Sequence, residues 1–205
     1  LNIKAEEFNI SAKEISFDKE KNTVIAKGSV KVVDEIGNII LSNKAVYEKS
    51  KEFLFAEGSV KVIGIEGNVL TTETATYDQK KNIIVAKDNT NFKLKEGYNL
   101  VTNNISYYIL KKIIASNVDS VLTDEDGNTV NVTMFQYDID KSLFSSVGKI
   151  KIIDSEKNKY FFKELHVDTK RKEMIGSDVS VLFDQENFGL TSESDPRFVA
   201  NDILI

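Results

Sequence analysis

Phe17, Tyr47, Tyr77, Tyr107 and Tyr137 stand thirty residues apart, and Val167 continues the column. A second column runs through Gly37, Gly67, Gly97 and Gly127, then Lys157 and Asn187. No insertion or deletion interrupts six successive copies. Loops ordinarily tolerate changes of length. A period held this strictly means that each turn sits in a row with the equivalent turns of its neighbours, as in repeat architectures. The clearest segment is Ala56-Glu57-Gly58-Ser59-Val60-Lys61-Val62, with Ala26-Lys27-Gly28-Ser29-Val30-Lys31-Val32 one period before it and Ala86 to Phe92 one period after.

Each unit contains two polar turns. One is Asp18-Lys19-Glu20-Lys21-Asn22, echoed at Asp78–Asn82 and Asp168–Lys172; the other is Asp34-Glu35-Ile36-Gly37-Asn38, echoed at Asp124–Asn128. Gly and Asn tolerate positive φ, and Asp hydrogen-bonds nearby backbone. Between the turns lie β-rich runs of roughly 9 to 11 residues, ~30–37 Å when extended. Short turns between long strands favour antiparallel hairpins.

Period-2 alternation assigns one apolar row per unit. The rows hold Val24, Ala26, Val30 and Val32; then Leu54, Ala56, Val60 and Val62; then Ile84, Ala86 and Phe92. They continue with Ile114 and Leu122; Phe144, Ile150 and Ile152; and Met174, with Leu182 closing the sixth row. Bulky residues end each row and small ones occupy its middle, where a glycine often marks a bend. The intervening strands switch parity, from Ile40 and Leu70 to Ala45, Tyr47, Ala75 and Tyr77. One extra residue near Ser42 to Lys44, a β-bulge, would produce the switch. The expected fold is an all-β, antiparallel sheet, bent, U-shaped or flattened at its corners, with an apolar lining and a charged exterior.

The 205 residues are read as one repeat domain, with units at 12–41, 42–70, 71–100, 101–130, 131–161 and 162–191 and a terminal partial unit at 192–205. The only proline is Pro196, and cysteine is absent, so no disulfide framework exists. Net charge is −5 with acids and bases interleaved, which argues against nucleic acid as a partner. No apolar run is long enough for a membrane-spanning helix. The chain starts at Leu1 and ends on Phe198–Ile205, which reads as a strand cut short, so the natural protein is expected to continue.

Catalytic and metal chemistry find little support. His166 is the single histidine and alternation puts it on the outer face. Without cysteine it makes no zinc site. Asp124-Glu125-Asp126-Gly127-Asn128 starts like a calcium loop, but Phe135 stands where the bidentate Glu is needed. Asp18, Asp78, Asp138 and Asp168 are equivalent turn residues by their spacing. Tyr107-Tyr108-Ile109-Leu110 is the most apolar turn, read as locally covered, with a partner patch as the minority reading. No cofactor is expected.

The units VIAKGSVKVVDEIGN and FLFAEGSVKVIGIEGN, with AVYEKSK and ATYDQKKN before the next rows, resemble OstA-like repeats of bacterial lipopolysaccharide transport. That family includes LptA-like periplasmic domains and the N-terminal domain of LptD. The opening IKAEEF and the closing DPRFVANDI look most like the LptD N-terminal domain. The likeness is strongest in the first three units. Ser116-Asn117-Val118 and Gly176-Ser177-Asp178 depart from its Ala-x-Gly core.

The resemblance implies an all-β, antiparallel, twisted β-jellyroll of about fourteen strands, built from the thirty-residue repeats and open along one side, that shelters lipid A acyl chains of lipopolysaccharide. It implies a place in the periplasm or at the periplasmic face of the outer membrane. The implied partners are neighbouring OstA-like domains, joined by edge-strand pairing, and a C-terminal outer-membrane barrel of the same chain. The inward residues named above are then the groove lining of a non-enzymatic carrier. The alternative is a structural β-solenoid or adhesin-type repeat with a closed core, including a parallel β-helix. Small residues at 26, 28, 56, 58, 86, 146, 148 and 176 favour the carrier, because a filled core would place bulk there unless two backbones approach closely.

Overall fold

The structure, a computed structural model, describes residues 2–5, 8–64, 67–184 and 197–204, with side chains of 3–5 and 202–204 left aside. Asn187 and the start of the expected terminal partial unit, 192–196, lie outside these residues. The described chain is all-β. It separates into two compact units, residues 1–95 with 102–111 and residues 96–101 with 112–205.

The first unit holds β1 (Asn2–Ala5), β2 (Phe8–Ser11), β3 (Glu14–Asp18), β4 (Thr23–Val33), β5 (Ile39–Glu48), β6 (Phe53–Ile63), β7 (Val69–Asp78) and β8 (Ile83–Lys93). It also takes most of β9 (Asn99–Tyr108). The second holds β10 (Ile113–Ser116), β11 (Ser120–Thr123), β12 (Thr129–Val132), β13 (Phe135–Asp138), β14 (Leu143–Ile153), β15 (Lys159–Asp168), β16 (Glu173–Leu182) and β17 (Arg197–Leu204). Pairing inside each unit is antiparallel, as β4 with β5 and β14 with β15 illustrate. That excludes the parallel β-helix. β2 and β3 both pair along β4, and β12 and β13 both pair along β14. β10 and β11 pair with β13 and β12 in the same way. Counting each of these three pairs as one bent strand takes the seventeen strands to fourteen.

The bend has a defined cause. Lys27 faces Lys44 and Val30 faces Ser42, so Gly28 and Ser29 together oppose the single residue Asn43. The same offset recurs between β6 and β7. The extra residue is therefore on β4 and β6, not near Ser42 to Lys44 on the partner strand as the parity switch suggested. Gly28 and Ser29 have φ of +75° and +49°, and Gly58 and Ser59 have +79° and +50°. Two successive left-handed residues turn the strand sharply, and glycine takes the first at no Cβ penalty. β5 switches parity because Ser42 and Ala45, three apart, both point inward.

Corners interrupt the ladder, and hydroxyls fill the gap. Ser42 and Thr102 each donate to the carbonyl two residues on, at 3.0 and 3.5 Å, and Thr72, 3.3 Å from the equivalent carbonyl, lies closer to Lys87 O at 2.7 Å. Beside the corner runs a cross-strand row of alanines, Ala26–Ala45–Ala56–Ala75–Ala86, all buried. Small side chains let the two arms of the bent strands close on each other. Phe8 then packs edge-on against Tyr47 and Tyr77, at 5.4 and 5.7 Å between ring centroids. The corner thus accounts for the small residues of the first unit, which were expected to leave room inside.

The fixed period also has a visible cause. Backbone bonds join each turn to the next in its row: Lys49 N–H to Asn22 O and Gln79 N–H to Glu52 O in the first unit, Ile139 N–H to Lys112 O and Thr169 N–H to Ser142 O in the second. In the other row Asn68, Asn128 and Asn158 accept from the N–H of Lys95, Ser155 and Asp184, each at 2.9 Å. A length change in one turn would break the bonds on both sides of it.

Candidate functional site

In the first unit Val24, Ala26, Val30, Val32, Leu54, Ala56 and Val60 are each 1% exposed. They form one cluster with Phe8, Ile10, Ala45 and Tyr47, against which Val62 packs. Ala86 and Phe92 are buried and Ile84 is half-buried. In the second unit Ile114, Leu122, Phe144, Ile150 and Ile152 are buried, and Phe144 stacks on Phe135 at 5.3 Å.

The sixth row differs from expectation. Met174 is half-buried and Gly176 buried, but parity then changes at Asp178, whose φ is +51°. Val179 and Val181 point inward, and Leu182 does not belong to the buried row. Alternation counted across a left-handed residue assigns the wrong face.

A cavity of about 330 Å³ opens in the second unit. Its floor is Leu122, Val130, Ile152, Val167 and Met174. One lip is the turn Asp124–Asn128 between β11 and β12, flanked by Glu96, Tyr98, Asp154 and Tyr160. The other lip is Lys172 and Glu173, where β16 starts. Lys172 Nζ reaches Glu125 Oε2 across the mouth at 3.8 Å, with both side chains largely in solvent. An exposed pair at that distance holds the lips together weakly.

Asp124 and Asp154 shape the turns themselves. Asp124 Oδ1 accepts the N–H of Asp126 and Asn128, and its Oδ2 accepts from Asn128 Nδ2. Asp154 repeats this arrangement and also accepts from Tyr160 Oη at 2.9 Å. The Asp124 turn is thus a hairpin turn of the same kind as that at Asp34, and no metal-ligating cluster occurs among the described residues. Burial, then the Asp154 bond, pushes the Tyr160 phenol up to about 12. Burial and the charge of Asp124 raise Tyr98. Glu96 is half-buried, and its Oε2 is out of water with no hydrogen-bond partner among the described residues.

Glu96, Tyr98 and Tyr160 were not singled out from the sequence, and Asp124–Asn128 was read there as a hairpin turn, not as a cavity lip. Glu96 and Tyr98 lie in and beside a turn that reads as a solvated cap, and Tyr160 is the second residue of β15. Only the folding of one arm over the other brings 124–128 opposite 172–174. The periodicity of the columns carried the signal, because Tyr98 and Asn128 follow the glycine column directly.

His166 keeps to the outer face between buried Leu165 and Val167, and one other expectation, the covered turn at Leu110, is modified. His166 is half-buried and sits in a hydrogen-bonded chain, Ser145 Oγ to Nδ1 at 2.9 Å and Nε2 to Glu164 Oε1 at 3.1 Å. None of the three lines the cavity. At the apolar turn Leu110 is 80% exposed, so the turn is not covered there, although Lys111 Nζ lies over the Tyr108 ring at 5.8 Å.

No protein-family model matches the chain, and no curated protein matches it. Among solved structures the chain is similar to LptH of Pseudomonas aeruginosa, described as the LptA homologous periplasmic component of the lipopolysaccharide transport device. Identity is 12%, coverage is 96% of each chain and the TM-score is 0.27.

Proposed function

We propose that this chain is a non-enzymatic lipid carrier that shelters acyl chains in its apolar interior. The observation that carries the reading is the cavity of the second unit. It has a continuous apolar floor beneath polar lips, and its volume falls at the low end of ordinary ligand pockets, ~300–1,000 Å³. Each acyl CH₂ taken out of water contributes roughly 0.8 kcal/mol. Affinity then needs apolar area and no catalytic residue.

The resemblance of the first three units to OstA-like repeats supports lipopolysaccharide as the cargo and the periplasm, or the periplasmic face of the outer membrane, as the setting. It likewise supports edge-strand pairing with neighbouring OstA-like domains, and a single repeat domain over 1–205 feeding a barrel. In the first unit the predicted lining fills its own interior. Acyl occupancy there requires Phe8 to part from Tyr47 and Tyr77.

That filled interior favours the second reading, a structural repeat domain with a closed core. Photo-crosslinking residues at Leu122 and Met174, with Lys61 as an outward control, separate the two. Crosslinks to labelled lipopolysaccharide at the cavity sites alone support the carrier. A folded domain with none supports the closed core.

A further inference from the structure

The charge at the mouth does not match an anionic lipid. Among the described residues six carboxylates line the cavity, at Glu96, Asp124, Glu125, Asp126, Asp154 and Glu173, against one cation, Lys172. Asp124 and Asp154 spend their oxygens on turn N–H groups and on Tyr160. Glu125 faces Lys172, an exposed and weak pair. Glu96, Asp126 and Glu173 remain for a ligand, and Glu96 Oε2 is already out of water with no partner among the described residues. A buried carboxylate oxygen left unpaired is costly, and a charge-assisted bond from a cation relieves that cost. The apolar floor lies directly beneath these groups.

We infer that this cavity binds amphiphilic cations, with an alkyl tail on the floor of Leu122, Val130, Ile152, Val167 and Met174 and a protonated amine at Glu96 between the lips. The inference rests on the acyl-chain reading of the cavity and adds a ligand class to it. An anionic head group is repelled at this mouth and stays outside the lips. Burial first, and then Asp124 beside Tyr98 and the Asp154 bond to Tyr160, hold both phenols above their usual range.

The test is titration calorimetry of the full chain with decylammonium and with decanoate, below micelle-forming concentrations. The two probes share a similar tail and differ in head-group charge. The inference predicts at least tenfold tighter binding of decylammonium. It also predicts that Glu96→Gln shrinks the ratio severalfold, while Glu35→Gln, the same charge change at an exposed turn of the other unit, leaves it unchanged. If the Glu96 variant does not fold, the exposed double substitution Asp126→Asn with Glu173→Gln repeats the test. Equal binding of the two probes overturns the cation preference and leaves the acyl-chain reading standing. Equal effects of Glu35→Gln and the cavity variants assign the preference to the whole acidic surface and overturn the site. Binding of neither probe overturns both readings.

Discussion

Gly176 lies outside the left-handed range of φ, yet a Cβ there would run into the Phe162 ring and approach Glu164 O at 3.1 Å. Space, not backbone angle, requires glycine. Gly127 is the opposite case, with φ of +85° and nothing within 4 Å of where a Cβ would stand. Gly176→Ala is expected to destabilise by ~1–3 kcal/mol through overpacking, and Gly127→Ala by ~1–2 kcal/mol through backbone strain. Urea denaturation measures both. Relief of the first by Phe162→Leu, with no effect of that change on the second, confirms the distinction. Tyr160 sets a pH signature. Its phenol is raised from 10.0 to about 12, so the folded state holds a proton that the unfolded chain loses. Its contribution is intact below pH 10, declines as pH rises and is gone above about 12. The urea midpoint of the wild type should therefore fall more steeply across that window than that of Tyr160→Phe. Parallel profiles would contradict the assignment.

At the scale of the element, the corner is the device that matters. Thr72 Oγ1 is buried among Lys87 O at 2.7 Å, Asp88 O at 3.1 Å and Thr90 Oγ1 at 3.0 Å. Thr72→Val should cost ~1–3 kcal/mol, because it removes the one hydroxyl that can donate to Lys87 O and accept from Thr90 Oγ1. Thr90→Val added to it should cost less than the sum of the two single changes, since both act on one network. Strict additivity in a double-mutant cycle would show that the two hydroxyls do not depend on each other. Much of this scale was legible in the sequence. Long alternating runs, Asp-and-Asn turns and the parity switch gave hairpins and a bend. The strand carrying the bulge was not legible, because a switch of parity on β5 looks the same whichever partner holds the extra residue. β16 shows the same limit. Asp178 is an ordinary residue in an extended run, and only its left-handed φ moves Val179 and Val181 inward in place of Leu182.

At the scale of the whole chain, the thirty-residue period translates into rows of turns tied by backbone and asparagine bonds. That follows from the columns alone, as does the apolar interior. The division into a packed first unit and a second unit with a cavity does not follow. Both carry the same alternation, and what separates them is how the arms meet: Phe8 fills the space beside Tyr47 and Tyr77, whereas Leu122 and Val130 line a cavity at which Lys172 and Glu125 pair. Non-local contacts of that kind leave no periodic trace.

Entry of acyl chains into this interior is best tested on methyl-labelled protein titrated with an acyl lipid, by intermolecular NOEs from the lipid methylenes. A carrier gives NOEs to the methyls of Leu122, Val130, Ile152 and Val167, with none to Leu110 and Val147, which stand exposed on the outside. NOEs confined to Leu110 and Val147, in a folded protein, would contradict the carrier and leave a closed structural repeat.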